Sequence, residues 1–471
     1  MTPPTAVVVG TSIAGLATSL ALSRIGYRVV AVDRSTPPPE GPPSEVAGAW
    51  HRPTVPQAQQ SHTVTSLGVR VLREHAPELL DELVAAGAVL LDLTRAIPPD
   101  ATNRERRADD DDLVALGCRR TTFELVLHRA VAASPRVVIR HRTTIRGLGV
   151  DEGRQVRHVV TSRGEVIPAD IVVDATGRSG RAGTWLRSAG VTPAEDALSP
   201  SGLAGYTRFY RLSGDTLPGK LTRGHAAGGV WDHYAGVLHP GDGGTFAIAI
   251  GTPPGDPELG RIRNVPEFTA VAEATPGLSS WLEDGVSEPI SGVRAFTSPP
   301  NALRGAIGGP VAGLFPVGDA ACVTNPLFGR GMSLALAHAF ALADLLAARP
   351  VVDAAQAEAA ARLADGVYRP WYEHAAAADR ERIARWRAAR EGTPPDGASS
   401  TAAIAAAATR DGLVWRGLTR MLMSLSTPAE LTGDKTFMHR VAQASAGAAA
   451  VGEPPPTRGE LVRTIMAAKG N

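Results

Sequence analysis

The apolar pattern of the first 33 residues predicts a strand, a tight turn, a helix and a second strand. Residues 6–10, AVVVG, form an apolar run typical of a buried strand. The next apolar residues, Leu16, Leu20 and Ile25, have the spacing of one face of a helix. Residues 28–33, RVVAVD, form a second apolar run. This order is that of a βαβ unit with two parallel strands.

The turn of this unit carries most of a dinucleotide-binding fingerprint. Gly10 and Gly15 occupy the first and third glycine positions of G-x-G-x-x-G, and Ser12, the next smallest choice, occupies the second. Asp33 ends the second strand, where a carboxylate accepts both ribose hydroxyls of an adenosine. The same carboxylate would repel a 2′-phosphate, so FAD or NAD fits and NADP does not. The alternative is a strand–turn–helix that binds no ligand.

A second pattern, in residues 313–346, predicts a short strand, a glycine-rich loop and a long apolar helix. The strand LFPVGD ends at Gly318 and Asp319, and the loop NPLFGRG leads into a helix that starts near Gly331. The free N–H groups at such a helix start favour an anionic ligand edge.

This segment resembles the second FAD signature of the flavoprotein monooxygenases built on the para-hydroxybenzoate hydroxylase fold. The resemblance implies that Asp319 bonds a ribityl hydroxyl and that the loop from Pro326 to Gly331 passes against the isoalloxazine ring. The helix start would then stabilise the anionic reduced flavin. In the alternative without a ligand, Asp319 is a helix cap and the glycines only form turns.

Two further stretches resemble motifs of the same family. Residues 170–190 contain DATGRSG, similar to the D-A-T-G-R-x-S motif but with Ser179 one position early. The resemblance implies that Asp174 and Gly177 lie near the adenosine and the pyrophosphate. Arg120 matches the arginine that opens a helix and faces the pyrophosphate in that family.

The stretch RPTVPQAQQSH resembles the R-x-G-V-P-Q-x-x-x-x-H segment of a bacterial subgroup. It implies that Arg52 and Gln57 lie near the cofactor. Arg119, next to Arg120, is expected to be solvated. For Arg52, Arg120 and Arg178 the alternative is a plain surface salt bridge.

Together these motifs predict non-covalently bound FAD. The residues expected next to the flavin ring, and hence the catalytic candidates, are Pro326, Phe328, Gly329, Arg330 and Gly331. The expected cofactor-binding residues are Gly10, Ser12, Ile13, Ala14, Gly15, Asp33, Arg34, Arg52, Gln57, Arg120, Asp174, Gly177, Gly318, Asp319, Pro326, Gly329, Gly331 and Met332.

The spread of the motifs predicts an α/β fold with a Rossmann-like FAD-binding domain assembled from separated segments. We expect residues 1–75, 118–195 and 300–350 in the FAD-binding domain and an antiparallel-sheet substrate domain from residues 76–117 and 196–299. Residues 351–471 are Ala-rich and predicted to form a C-terminal helical region that packs against the FAD-binding domain or a partner subunit.

The substrate domain is predicted from the stretches SGLAGYTRFYRLSG and HYAGVLHPGDGGTFAIAIGTP, which alternate like antiparallel strands with PGDGG as a hairpin loop. We expect the inner face of this sheet to line a substrate cavity. The polar candidates on it are Tyr206, Arg208, His233 and Tyr234; the last two are neighbours, so only one of them faces the cavity from a strand.

Composition narrows the class of partner. The chain of 471 residues has a net charge of +1, so no bulk field attracts nucleic acid or a membrane, and a small molecule is the expected partner.

The sequence contains no pattern typical of a metal site. The only cysteines, Cys118 and Cys322, form no metal-ligand pattern. The four aspartates at residues 109–112 are expected to form a solvated loop. With no targeting segment or uncharged apolar span recognised, we expect a cytoplasmic protein with no bound metal. Its oligomeric state is left open.

The family resemblance also implies a reaction. In that family reduced FAD and oxygen form a C4a-hydroperoxide, which transfers one oxygen atom to the substrate. The V-P-Q stretch, the NPLFGRGM loop, the YTRFYRL strand and the Pro-rich C-terminus most resemble bacterial polyketide epoxidases of the polyether type. We therefore expect epoxidation or hydroxylation of a large apolar polyketide-like substrate. With one dinucleotide fingerprint only, NAD(P)H binds transiently or a separate flavin reductase supplies electrons.

Three other functions stay open. A flavin-dependent halogenase needs a lysine between flavin and substrate and a W-x-W-x-I-P segment, whereas the first lysine here is Lys220 and the segment does not occur. Decalin-forming cyclases of spirotetramate biosynthesis resemble this family and use FAD only as a scaffold for a [4+2] cyclisation. A cofactor-free binding protein is the third alternative.

Overall fold

The computed structural model describes residues 3–309, 311–394, 401–445 and 453–468. Its strands are β1 Thr5–Val9, β2 Arg28–Val32, β3 Val89–Asp92, β4 Val114–Gly117, β5 Val137–Arg140, β6 Ile145–Val150, β7 Val156–Thr161, β8 Val166–Pro168, β9 Ile171–Asp174, β10 Ala197–Ser199, β11 Ala204–Leu212, β12 Ala227–Val230, β13 Ala235–Pro240, β14 Thr245–Thr252, β15 Ser287–Pro289, β16 Arg294–Thr297, β17 Asn301–Leu303, β18 Leu314–Pro316 and β19 Cys322–Val323. Its α-helices are α1 Ile13–Arg24, α2 Pro43–Val46, α3 Ser66–His75, α4 Pro77–Ala85, α5 Arg120–Ala132, α6 Ala182–Ser188, α7 Val265–Glu273, α8 Gly331–Ala348, α9 Ala354–Glu391, α10 Ala402–Ala408, α11 Gly412–Leu422, α12 Pro428–Gly433, α13 Lys435–Ser445 and α14 Arg458–Ala468.

A parallel sheet in the order β18-β9-β1-β2-β5 forms the nucleotide-binding half of the fold. Successive side chains of β1 enter opposite cores: Val8 packs with helices α1, α5 and α8, whereas Val7 packs with α6 and the β6–β8 sheet. Because both faces are covered, the strands are continuous apolar runs rather than alternating ones. The predicted strand–turn–helix–strand unit at the N-terminus is confirmed.

Helix α8 follows β18 and lies in the larger core. By length and composition it is the one helix in the described ranges that could cross a membrane, but 61% of it is buried inside the protein. It packs against α1, α3 and α9, which is the environment of a core helix.

An antiparallel sheet in the order β12-β13-β14-β11-β15, with β16 also paired to β11, forms the second half. The predicted hairpin is confirmed, since β13 and β14 pair across the PGDGG turn. One face of this sheet is covered by α7 and α14, whose Phe268, Val271 and Leu461 pack against its Tyr210 and Ile248. The other face looks toward the carboxyl ends of the parallel strands.

The C-terminal region is helical as predicted, and it packs more widely than expected. Helix α9 runs alongside α8, and α14 covers α7. Helices α10, α11 and α13 pack on the antiparallel pair β3–β4. The expectation of a solvated loop at residues 109–112 is correct for Asp109 and Asp111, which are exposed, and wrong for Asp110. Asp110 is 2% exposed and pairs with Arg416 at 2.6 Å, because α11 lies over it. The α/β fold class with an antiparallel sheet and a helical C-terminus is confirmed, while the domain limits stay a prediction.

Candidate functional site

A cavity of about 540 Å³ lies between the carboxyl ends of the parallel strands and the open face of the antiparallel sheet. This volume is in the range of small-molecule sites, and the carboxyl edge of a parallel sheet is where such folds bind ligands. All the predicted cofactor-binding and catalytic residues line it except Gly15 and Asp174.

The turn from β1 into α1 requires both of its glycines, Gly10 and Gly15. Gly10 has φ +109°, and a Cβ on it would lie 2.3 Å from the carbonyl oxygen of Ala175. A Cβ on Gly15 would lie 1.8 Å from the carbonyl oxygen of Gly10, so this glycine permits the close packing of α1 rather than contact with a ligand. Ser12 precedes α1 and receives a hydrogen bond from Arg120 Nη2 at 3.0 Å. No side chain of the described residues caps α1, which leaves its first N–H groups for an anion.

Asp33 directly follows β2 at the cavity, and hydrogen bonds from nearby residues hold its carboxylate. Its carboxylate accepts hydrogen bonds from the N–H groups of Thr11 and Ser35, both at 2.7 Å, and from the Thr11 hydroxyl at 2.8 Å. Burial raises the pKa of Asp33, but the bonds from Ser35 and Thr11 outweigh it, so its pKa is lowered. The group is therefore an ionised acceptor at neutral pH.

Two buried arginines beside this turn share one carboxylate. Arg52 Nη1 lies 2.8 Å from Glu124 Oε1, and Arg120 Nε lies 3.7 Å from Glu124 Oε2. Neither ion pair is a surface one, because the three side chains are at most 10% exposed. The Nε atoms of Arg52, Arg120 and Arg178 have no hydrogen-bond partner among the described residues. Two guanidinium groups against one carboxylate leave a surplus positive charge facing the cavity.

The loop before α8 crosses the middle of the cavity. Residues Pro326–Phe328 form a 3₁₀ turn, and Gly329 follows in the left-handed region at φ +63°. Arg330 is 1% exposed, and its guanidinium lies 4.4 Å from the ring centroid of Phe328 and 4.6 Å from that of Trp371. Burial lowers the pKa of Arg330 to about 9. Helix α8 begins at Gly331 without a side-chain cap from the described part of the chain.

A buried polar network fixes this loop from the side of α9. Asp379 accepts hydrogen bonds from the amide groups of Asn301 at 2.8 Å and Asn325 at 2.7 Å, and it pairs with Arg382 at 3.0 Å. Asn325 in turn accepts the N–H of Leu327 at 2.9 Å, which closes the 3₁₀ turn. The position of the loop therefore depends on a carboxylate of the C-terminal helical region.

Replacing Asp379 by alanine is expected to lower the free energy of unfolding by about 3–5 kcal/mol, because the buried Arg382 loses its carboxylate partner and keeps only backbone carbonyl oxygens as acceptors. The measurement is denaturant unfolding followed by tryptophan fluorescence. Asp365→Ala removes an exposed pair with Arg369 on the same helix and should change stability by no more than about 0.5 kcal/mol. Equal effects of the two variants would contradict the role of the network.

The predicted substrate residues of the antiparallel sheet do not reach the cavity. Tyr206 packs under α7, and Arg208 bonds Thr269 of that helix at 3.2 Å. Tyr234 is fully buried in the same core, and His233 bonds the carbonyl of Pro456 at 2.8 Å. The expectation that these residues face the cavity is wrong. The pleat of β11 directs Tyr206 and Arg208 to the face that α7 covers. His233 and Tyr234 lie in the turn between β12 and β13, and their contacts with Pro456 and with the same core hold them away from the cavity.

Two other expectations are corrected by the packing. Asp174 lies behind the cavity, where its carboxylate accepts the N–H groups of Thr176 at 3.0 Å and Ala182 at 2.5 Å and so anchors the turn into α6. Burial raises its pKa. Arg119, expected to be solvated, forms an ion pair at 2.6 Å with Asp242 in the hairpin loop, because α5 begins against that loop.

The face of the sheet toward the cavity carries polar groups that the sequence analysis missed. Gly205 and Thr207 occupy the alternate positions of β11, and His239 occupies the corresponding face of β13. Arg223 and His225, from the segment before β12, complete the polar lining. The period-two pattern of β13 could have singled out His239, but no local signal marked Arg223 or His225.

Ser61 and His62, from the segment before α3, continue this polar lining beside His239. Ser61 Oγ lies 2.9 Å from His239 Nδ1. Burial, with Arg120 nearby, lowers the pKa of His62 to about 3; burial, with Arg223 nearby, lowers that of His239 to about 3. Both imidazoles are therefore neutral at pH 7. Within the described ranges no group of three or more His, Cys, Asp and Glu side chains is placed to hold a metal ion.

Comparisons with known proteins agree with this architecture. No family model matches the chain. Protein Rv3254 of Mycobacterium tuberculosis is 29% identical over 371 residues, which cover 73% of each chain. The crystal structure of PqsL, a probable FAD-dependent monooxygenase from Pseudomonas aeruginosa, is similar at 17% identity with a TM-score of 0.59, covering 82% of this chain and 98% of PqsL. That of CmlS, a flavin-dependent halogenase, is similar at 16% identity with a TM-score of 0.60, covering 100% of this chain and 78% of CmlS. The chain therefore has the fold shared by FAD-dependent monooxygenases and flavin-dependent halogenases.

Proposed function

We propose that the protein is an FAD-dependent monooxygenase that epoxidises or hydroxylates a large apolar, polyketide-like intermediate. One observation carries the proposal. The same cavity joins an ionised carboxylate, a surplus of buried guanidinium charge and an uncapped helix start to a wall of the antiparallel sheet on which apolar side chains lie beside polar ones. The carboxylate and the guanidinium groups suit the ribose and phosphates of a dinucleotide, and the uncapped helix start suits a redox ring. The apolar side chains suit an apolar substrate.

The residues at the nucleotide end fit FAD. Asp33 would accept the ribose hydroxyls of the adenosine, and the backbone at Gly10 and Ser12 leaves room for the pyrophosphate. Arg120 would neutralise the phosphates. Its Nε, which has no hydrogen-bond partner among the described residues, would donate to them. Asp319, 29% exposed and in the same cavity, would bond a ribityl hydroxyl. The binding is non-covalent.

Bound FAD would supply the chemistry of oxygen activation, and the chain's residues would position and shield it. The uncapped N–H groups of α8 at Gly331 and Met332 favour negative charge at the adjacent edge of the site. Leu203, Val237 and Phe296 form apolar parts of the substrate side, where they exclude water. The electrons would come from NAD(P)H bound transiently or from a separate flavin reductase.

The geometry bears on the halogenase alternative. Lys220 and Lys435 are exposed and no lysine is among the described residues that line the cavity. A halogenase of this fold would need such a side chain between cofactor and substrate. We therefore retain oxygenation, with non-redox cyclisation as the alternative to be tested.

The deciding experiment is product analysis of the FAD-loaded protein with a candidate polyene, with and without reductant and oxygen. A monooxygenase requires both and yields a product heavier by one oxygen atom. An isomeric product formed under nitrogen with oxidised FAD would refute oxygenation in favour of the scaffolded cyclisation. A halogenated product formed in the presence of halide would refute both.

A further inference from the structure

A tyrosine and a histidine from two different helices meet behind the turn that carries Asp319. Tyr368 of α9 is 1% exposed and His338 of α8 is 2% exposed. The backbone N–H of Gly318 donates a hydrogen bond to the Tyr368 hydroxyl at 2.9 Å, and His338 Nδ1 lies 3.1 Å from the same oxygen. The two rings meet edge to face, with centroids 5.0 Å apart. The three groups therefore form one buried hydrogen-bonded chain.

The direction of each hydrogen bond in this chain follows from its donors. A backbone N–H can only donate, so the Tyr368 oxygen accepts from Gly318. Burial raises the pKa of Tyr368 and lowers that of His338 to about 4, so at pH 7 the phenol keeps its proton and the imidazole is neutral. Because the phenol proton has no other acceptor among the described residues, it is donated to Nδ1, and His338 carries its own proton on Nε2.

Both polar groups lie in otherwise apolar surroundings. Tyr368 packs in one core with Leu334 and Trp371, and α8, which carries His338, is mostly buried. Burying a hydroxyl and an imidazole there is unfavourable unless their hydrogen bonds are satisfied. A phenylalanine would fill the same space without that cost. What the hydroxyl adds is an acceptor for the N–H of Gly318, a residue that lines the cavity.

The Asp319 carboxylate depends on this turn for its position. Gly318 begins a 3₁₀ turn over residues 318–320 at φ +59°, and a Cβ on it would lie 2.6 Å from Ala14 Cβ. The carboxylate itself receives no hydrogen bond from the described residues, and its ion-pair partner, Arg178 Nε, is 3.8 Å away. The backbone of the turn, rather than bonds to the carboxylate, therefore sets the direction in which Asp319 points.

We propose that Tyr368 and His338 are positioning residues of the cofactor site: the Tyr368 hydroxyl fixes the Gly318 turn, which holds the Asp319 carboxylate toward the ribityl chain of FAD. His338 orients the hydroxyl by accepting its proton. Neither side chain lines the cavity, so both act through the turn. The inference rests on the proposed function, since it extends the FAD site to the C-terminal helical region.

A purely structural role of this chain leads to a different result. If the hydroxyl only satisfies a buried N–H, its loss lowers stability and affects FAD binding equally with or without the Asp319 carboxylate. If it positions that carboxylate, its effect on FAD binding disappears once the carboxylate is removed. A double-mutant cycle between Tyr368 and Asp319 therefore separates the two roles.

The test measures the FAD affinity of the full-length, FAD-free protein by titration for Tyr368→Phe, Asp319→Ala and the double variant. Tyr368→Phe keeps the ring and leaves the Gly318 N–H without its acceptor. We expect the Kd for FAD to rise about 5- to 30-fold in the parent chain and by less than about 2-fold in the Asp319→Ala background. Thermal melting of each FAD-free variant checks that it is folded.

Three further variants assign the effect to the hydrogen bonds. Tyr372→Phe is the matched control and should leave the Kd unchanged, because the Tyr372 hydroxyl, one turn further along α9, makes no hydrogen bond with the described residues. His338→Leu removes the acceptor of the phenol proton and should weaken FAD binding. His338→Asn should restore most of the affinity, since its amide oxygen takes about the place of Nδ1. If Tyr368→Phe does not fold, the contrast between the two His338 variants decides.

The outcomes keep the two proposals apart. An unchanged Kd in Tyr368→Phe, or an equal rise in both backgrounds, would overturn the positioning role while FAD binding stands. A parent chain that binds no FAD would refute the proposed function and this inference together. A non-additive cycle combined with an isomeric product under nitrogen would support the positioning role and refute oxygenation.

Discussion

Replacing Gly331 by leucine is expected to abolish product formation while the protein keeps its FAD. A Cβ on Gly331 meets no atom within 4 Å, so the new side chain extends into the open cavity at the start of α8. It would hold the substrate away from the reacting edge, and a displacement of about 1 Å can already cost about 100-fold in rate. The measurement is turnover together with FAD content and melting temperature.

Gly331 suits this experiment better than its neighbour in the loop. Gly329 has φ +63° and its Cβ would lie 3.0 Å from Thr63 Cγ2, so a substitution there would also strain the backbone. Gly366→Leu, on the exposed side of α9 with no atom within 4 Å of its Cβ, is the matched control and should retain activity. Full activity of Gly331→Leu would show that the reacting edge lies elsewhere.

Replacing Asp33 by alanine is expected to weaken FAD binding by about 10- to 100-fold. The loss corresponds to the 1.5–3 kcal/mol, roughly, of a hydrogen bond to a charged group. Removal of the carboxylate also frees the Thr11 N–H and hydroxyl, which loosens the turn that follows β1. The measurement is FAD affinity by titration of the FAD-free protein.

Asp365→Ala, on the exposed side of α9, changes the net charge by the same amount and should leave the FAD affinity unaltered. If Asp33→Ala binds FAD as tightly as the parent chain, the nucleotide is not at the end of β2. A fall in melting temperature of the FAD-free Asp33→Ala protein would measure the separate contribution of the Thr11 bonds.

The sequence alone determined the nucleotide half of the fold. The turn at Gly10, the end of β2 at Asp33 and the start of α8 at Gly331 were all predicted, and each lies in the cavity. These features are local: a strand run, a small residue in a tight turn and a helix start depend on neighbours within a few positions. The buried arginines Arg52 and Arg120 came from the family resemblance, because no local pattern marks a buried cation.

The tertiary structure decided which polar residues face the substrate. Tyr206 and Thr207 are consecutive residues of β11, so their side chains point to opposite faces of the sheet. Because α7 and α14 cover the face of Tyr206, Thr207 is the one that lines the cavity. The same packing places Tyr234 in the core. Arg119 is buried because α5 begins against the hairpin loop, where Asp242 pairs with it. Alternation gives two faces but does not say which one is covered, because the covering helices are distant in the chain.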